Sequence, residues 1–121
     1  ITLNKDFEGA GAVVKKDQNI VFNLNGFTWN INSLVGSSGT ETNGVQLLQG
    51  STVTIENGTL TSKTAKLLIQ NYCDLTIRNA TLSGQDNLTE IIVSNNNGST
   101  VITGNSAVQA AAGGIAFDSD K

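Results

Sequence analysis

Val53-Thr54-Ile55-Glu56-Asn57-Gly58-Thr59-Leu60 reads as a short strand, an Asn-Gly corner and a second short strand. The unit returns 22 positions later as Leu75-Thr76-Ile77-Arg78-Asn79-Ala80-Thr81-Leu82. An earlier copy is Leu24-Asn25-Gly26-Phe27-Thr28-Trp29, and a looser later one is Ile102-Thr103-Gly104-Asn105-Ser106-Ala107-Val108. Self-similarity at such a period marks an architecture of stacked repeats.

A second recurring strand interleaves with the first. Val45-Gln46-Leu47, Leu67-Leu68-Ile69, Ile91-Ile92-Val93 and Ile115-Ala116-Phe117 align, and their first and third residues are apolar. Side chains alternate faces along a strand, so this alignment predicts that the first and third residues point inward. The middle residues Gln46, Leu68, Ile92 and Ala116 then point outward. Each period holds three short strands, two tight corners and one variable loop. Residues 33–43 lengthen one period. They are dominated by Gly, Ser and Thr and read as a surface loop. No single rung can bury its own apolar face, so the core must come from stacking. The expected fold is all-β, a right-handed single-stranded parallel β-helix of about four to five rungs. Residues 1–121 form a single β-helix domain in this reading, a segment of a longer chain.

The corners carry a further pattern. Asn57 and Asn79 fall at one corner with Asn105 near it, while Asn71 and Asn95, preceded by Gln49, recur at the other. Amides both donate and accept, so stacked asparagines can form ladders along the coil axis. Ordinary turn asparagines, which tolerate left-handed backbone angles, account for the same residues.

Composition narrows the function classes. Among 121 residues the net charge is −3, seven basic residues are scattered, and only Lys15 and Lys16 are adjacent. The basic footprint of a nucleic-acid binder is missing from the sequence. No apolar run approaches the roughly 18 residues of a membrane span. The single cysteine, Cys73, excludes an intrachain disulfide and reads as a buried or turn thiol. Sequons at Asn57, Asn79, Asn87 and Asn97 are expected by chance in a chain this rich in Asn and Thr.

The repeat units above, with Val35-Gly36-Ser37-Ser38-Gly39-Thr40-Glu41-Thr42-Asn43-Gly44, Leu68-Ile69-Gln70-Asn71-Tyr72, Val93-Ser94-Asn95-Asn96-Asn97-Gly98 and Gly113-Gly114-Ile115-Ala116-Phe117-Asp118, resemble the pectate-lyase-like superfamily of right-handed β-helices. More narrowly they resemble short solenoid modules of gut-bacterial surface proteins and of phage head-fibre or decoration proteins. The superfamily spans lyases, hydrolases, adhesins and phage spikes, so fold alone assigns no activity.

Residue chemistry weighs against the enzymes. There is no histidine, which removes imidazole acid–base chemistry and imidazole metal ligation. The ten acids do not stack in register as a calcium site needs. Two-carboxylate hydrolysis by Asp86 with Glu90, or by Asp118 with Asp120, is the residual catalytic alternative. Glu56 aligns with Arg78 and reads as a cross-rung ion pair. No catalytic, cofactor or metal residue is assigned.

The expected function is instead a non-catalytic structural and adhesion module on a virion or bacterial cell surface, with a glycan as candidate ligand. The alternatives are a truncated polysaccharide lyase or hydrolase and a purely architectural spacer. The candidate contact set is Thr40, Glu41, Thr42 and Asn43 with Asn95, Asn96 and Asn97. Leu68 and Ile92, taken as exposed aliphatics stacked on adjacent rungs, imply a covered face. Either the loop at 33–43 folds over them or a subunit does, as in a homotrimer or a complex with a capsid or cell-surface partner.

Overall fold

A computed structural model describes residues 1–85 and 89–120. Among these residues the secondary structure is all strand: β1 (Phe7–Ala10), β2 (Ala12–Val14), β3 (Asn19–Asn23), β4 (Thr28–Ser33), β5 (Val35–Ser37), β6 (Thr40–Leu47), β7 (Thr52–Ser62), β8 (Leu67–Asn71), β9 (Asp74–Gly84), β10 (Ile91–Asn95), β11 (Ser99–Thr103), β12 (Ala107–Gln109) and β13 (Ile115–Ser119). Asp86 and Asn87, singled out above, lie outside the described residues.

The strands stack on three faces. The first carries the bridge at Thr2, then β3, the first half of β7, the first half of β9 and β11. The second carries β1, β4, the second halves of β7 and β9, and β12. The third carries β2, β6, β8, β10 and β13. Every pairing between turns is parallel, so the chain is a parallel β-solenoid of about five turns.

The repeat of Val53–Leu60 in Leu75–Leu82 is a register. Val53 lies beside Leu75, Ile55 beside Ile77, and Leu60 beside Leu82. Their side chains form columns through the interior, Phe22–Ile55–Ile77 on the first face and Trp29–Leu60–Leu82 on the second, all buried. Phe22 and Trp29 pack tilted with ring centroids 5.2 Å apart, and the Trp29 indole N–H donates to the Ala10 carbonyl at 3.1 Å. An indole buried this deeply needs that acceptor.

At the corner between these faces Asn57 and Asn79 take φ of 63° and 50°. Asparagine tolerates this left-handed region, and one such residue turns the strand without breaking its pairing. The earlier copy is longer. Asn23 pairs with Glu56 and Thr28 with Thr59, so residues 24–27 occupy the arc that 57–58 span below. That bulkier arc presses on Gly58, where a Cβ would sit 2.5 Å from both Leu24 Cβ and the Phe27 carbonyl. The next turn, with no such neighbour, carries Ala80 at the same position.

The third face departs from simple alternation. Leu68 and Ile92, expected to point outward, are fully buried, as are their neighbours Ile69 and Val93. Two consecutive inward side chains mean that the strand bends between them, a further corner that no Asn-Gly pair announces. Leu68 and Ile92 fill that bend. A Cβ on Gly44 would lie 3.3 Å from both Leu68 Cδ1 and Ile31 Cδ1, and one on Gly84 would lie 3.1 Å from Ile92 Cδ1. Leu68 and Ile92, being core, therefore imply neither a covering loop nor a covering subunit.

The alignment of Val45 also shifts by two residues. Val45 pairs with Ile69, and Asn43 with Leu67. Leu67 and Ile91 are half-buried rather than core, while Ile115 and Phe117 in the last turn are 49% and 42% exposed. The insertion at 33–43 is not an irregular loop. Val35–Ser37 folds back antiparallel on the start of β6, making a hairpin whose tip is at Ser38-Gly39.

Candidate binding surface

Val13, Gln46, Gln70, Ser94 and Asp118 lie in register on the third face, a column that is polar from Gln46 onward. Gln70 Oε1 accepts from Gln46 Nε2 at 2.8 Å and from Asn43 Nδ2 at 2.9 Å. The hairpin flanks this column at one end. At the other lies the corner that follows Leu47, Asn71 and Asn95.

The predicted contact residues divide. Thr40 and Glu41 are exposed at the hairpin tip and also shape it. Thr40 Oγ1 donates to the Ser37 carbonyl at 3.1 Å, and Glu41 Oε1 accepts from the Gly39 N–H at 3.0 Å. Thr42 is half-buried. Asn43 and Asn95, at 5% and 4% exposure, are structural and cannot present their side chains to a ligand. Asn43 Oδ1 is buried without a hydrogen-bond partner. Asn97 is exposed and Asn96 half-buried. The two predicted groups are not brought together. Asn43 and Asn95 stand two turns apart and at opposite ends of their strands, Asn43 pairing with Leu67 and Asn71 with Asn95.

Asparagine behaves differently at the two corners. Asn71 is completely buried, and its Nδ2 donates to Asn95 Oδ1 at 2.9 Å, to the Ser99 carbonyl at 3.1 Å and to Thr100 Oγ1 at 3.2 Å. Its Oδ1 accepts the Cys73 N–H at 2.9 Å. Asn95 extends the chain of bonds to Ser119 Oγ at 3.2 Å. At the other corner the contacts are mixed. Asn57 Nδ2 donates to Asn23 Oδ1 at 3.3 Å, and Asn79 Oδ1 accepts the backbone N–H of Asn105 at 2.9 Å. No direct side-chain bond joins Asn57 to Asn79, so these residues serve the backbone turn. Gln49 stands one position beyond Leu48, outside the Leu47–Asn71–Asn95 column.

The acids are dispersed, and several tie turns together. Asp6 accepts the Thr28 N–H, Asp74 accepts Ser99 Oγ, and Asp120 accepts the Asn97 N–H. Glu56 and Arg78 pair across turns at 2.8 Å. An exposed pair of this kind contributes about 0–1 kcal/mol. Among the described residues no three His, Cys, Asp or Glu side chains converge as metal ligands. No helix of the described residues is long and apolar enough to cross a membrane. Burial pushes the Cys73 thiol above its ordinary value, with Asp74 adding to the shift against opposing hydrogen bonds to Ser51 and Val53. A desolvated, protonated thiol is a poor nucleophile.

Two polar clefts open beside Cys73. One, of about 350 Å³, is lined by Gln49, Tyr72, Asn96 and Asn97. The other, of about 280 Å³, shares Gln49, Tyr72 and Asn97 and extends to Ser51, Thr52 and Asp74. A larger apolar cleft of about 370 Å³ at the first turn is lined by the core side chains Phe22, Leu24 and Trp29 and by the more exposed Ile1, Leu3 and Phe7. Tyr72 stands outside the contact residues expected from the sequence. Its signal was position: an aromatic directly after an inward asparagine, at an outward site. Compared with models of known families, with curated proteins and with solved structures, the chain matches none of them.

Proposed function

We propose that this solenoid is a non-catalytic structural and adhesion module, displayed on a phage virion as a head fibre or capsid decoration, or on a bacterial cell surface, where it engages surface glycan. The resemblance to short solenoid modules of the pectate-lyase-like superfamily motivates the setting. The observation that carries the reading is the outer surface of the third face: a row of amide side chains, Gln46 and Gln70, between a projecting hairpin and the clefts at Gln49, Tyr72 and Asn97. Side chains that both donate and accept, held on a stiff frame, suit the hydroxyls of a carbohydrate.

The test joins binding to turnover. The purified protein is presented to bacterial cells, to phage capsids and to a glycan array. Its action on pectin and other uronans is measured with and without Ca²⁺. Retention on cells or capsids with glycan binding and no turnover is the expected result. Turnover of a uronan would overturn the non-catalytic reading. Failure to bind cells, capsids and glycans alike would leave an architectural spacer.

A further inference from the structure

We propose that the corner groove around Tyr72 is a subsite for one neutral pyranose unit of a surface glycan, an inference that rests on the adhesion reading above and gives it a place. A pyranose offers an apolar C–H face and a rim of hydroxyls. It needs a flat apolar platform beside groups that donate and accept.

The groove sets one aromatic ring, Tyr72, among amides. Tyr72 is half-buried and lines both polar clefts, with Gln49 and Asn97 common to the two. The side-chain amides of Gln49 and Asn97 and the Tyr72 hydroxyl make no hydrogen bond within the described residues, so their capacity is open to a ligand. The frame beneath them is fixed. Tyr72 N–H donates to the Leu47 carbonyl at 2.8 Å, the buried Asn71 precedes it, and the Cys73 N–H donates to Asn71 Oδ1 at 2.9 Å. Asn97 is held by its own N–H on Asp120 Oδ1 at 2.8 Å. Groups ordered before binding lose less freedom when a ligand arrives. Volumes of about 350 and 280 Å³ lie at the lower end of ordinary ligand pockets, suited to a single sugar ring.

The lining also selects for charge. Its ionisable residues are Tyr72, Cys73 and Asp74, with no Lys or Arg among them. Lys16 packs its aliphatic stem toward Gly50 at the rim. A uronate or sialate carboxylate would face Asp74 without a lining cation to pair with. A neutral hexose meets no such penalty.

The experiment is a glycan array of neutral and acidic oligosaccharides, followed by calorimetric titration of the neutral oligosaccharide that binds best. Wild type is compared with Tyr72→Ala, Tyr72→Phe, Asn97→Gly and the hairpin pair Thr40→Ala/Glu41→Ala. Asn97→Gly removes the amide while keeping a residue that accepts φ of 58°. Loss of the aromatic platform is expected to weaken binding about tenfold or more, and Tyr72→Phe to stay within about threefold of wild type. Asn97→Gly is expected to weaken binding, and by more than the hairpin pair does. Equal binding by wild type, Tyr72→Ala and Asn97→Gly overturns the subsite while leaving adhesion standing, as does loss confined to the hairpin pair. Binding of acidic glycans only overturns the neutral ligand. Wild type that binds no glycan, cell or capsid overturns the adhesion reading itself.

Discussion

Leu68 and Ile92 show where a local rule stops. Alternation applies to a straight strand, and on the first two faces Val53, Ile55 and Leu60 obey it because Asn57 marks the bend there. The bend on the third face has no such marker. It lies between two apolar residues, Leu68 and Ile69, that are equally acceptable inside. Only Gly44, one turn earlier, hints at the crowding beneath it. The distinction is measurable. Leu68→Ala or Ile92→Ala is expected to destabilise the fold by about 2–5 kcal/mol, the range for emptying a buried aliphatic site. Gln46→Ala, on the outward column, is expected to change stability by about 1 kcal/mol or less. Urea unfolding of the three variants checks this. A Leu68→Ala midpoint equal to wild type would return that side chain to the surface. Tyr72 and Gln49 were illegible for a related reason. A cleft is a relation between turns, and one copy of the repeat offers at most the position of an aromatic after the inward Asn71.

At the scale of elements, the hairpin is the part that composition concealed. Gly, Ser and Thr correctly announced an exposed segment, but they hid the antiparallel pairing of Val35–Ser37 with β6. Register measures how much of it is extra. Ile31 pairs with Ser62 and Asn43 with Leu67, so residues 32–42 cover the span that 63–66 cover one turn below. Replacing residues 35–42 with a single glycine equalises the two connections and keeps Leu34, which packs against the core. Closing a shorter loop changes chain entropy by only about 1 kcal/mol. The shortened protein is therefore expected to keep one cooperative transition with its urea midpoint little changed. Loss of cooperativity in the denaturant curve would make the hairpin part of the core. The coil itself was legible for the opposite reason. Its signal is repeated in every turn, so the two-residue misalignment of Val45 did not obscure the period.

On the scale of the whole molecule, each turn touches only the turns beside it, and stability is distributed along one axis. Central turns are covered on both sides, whereas Val101, Ile102, Ile115 and Phe117 of the last turn remain 42–55% exposed. Hydrogen exchange is expected to follow this gradient, slowest at amides such as those of Ile55 and Ile77 and fastest in the first and last turns. Uniform protection from β1 to β13 would contradict a stack of this kind. The parallel pairing between turns has a mechanical consequence as well. The bonds joining successive turns point along the axis, while the chain runs across it. Tension between the two ends therefore loads those bonds a few at a time, and the coil peels from its ends instead of shearing all at once. With 22 residues between Val53 and Leu75, each freed turn releases roughly 75 Å of extended chain. Pulled hard, such a coil lengthens stepwise and dissipates the load turn by turn.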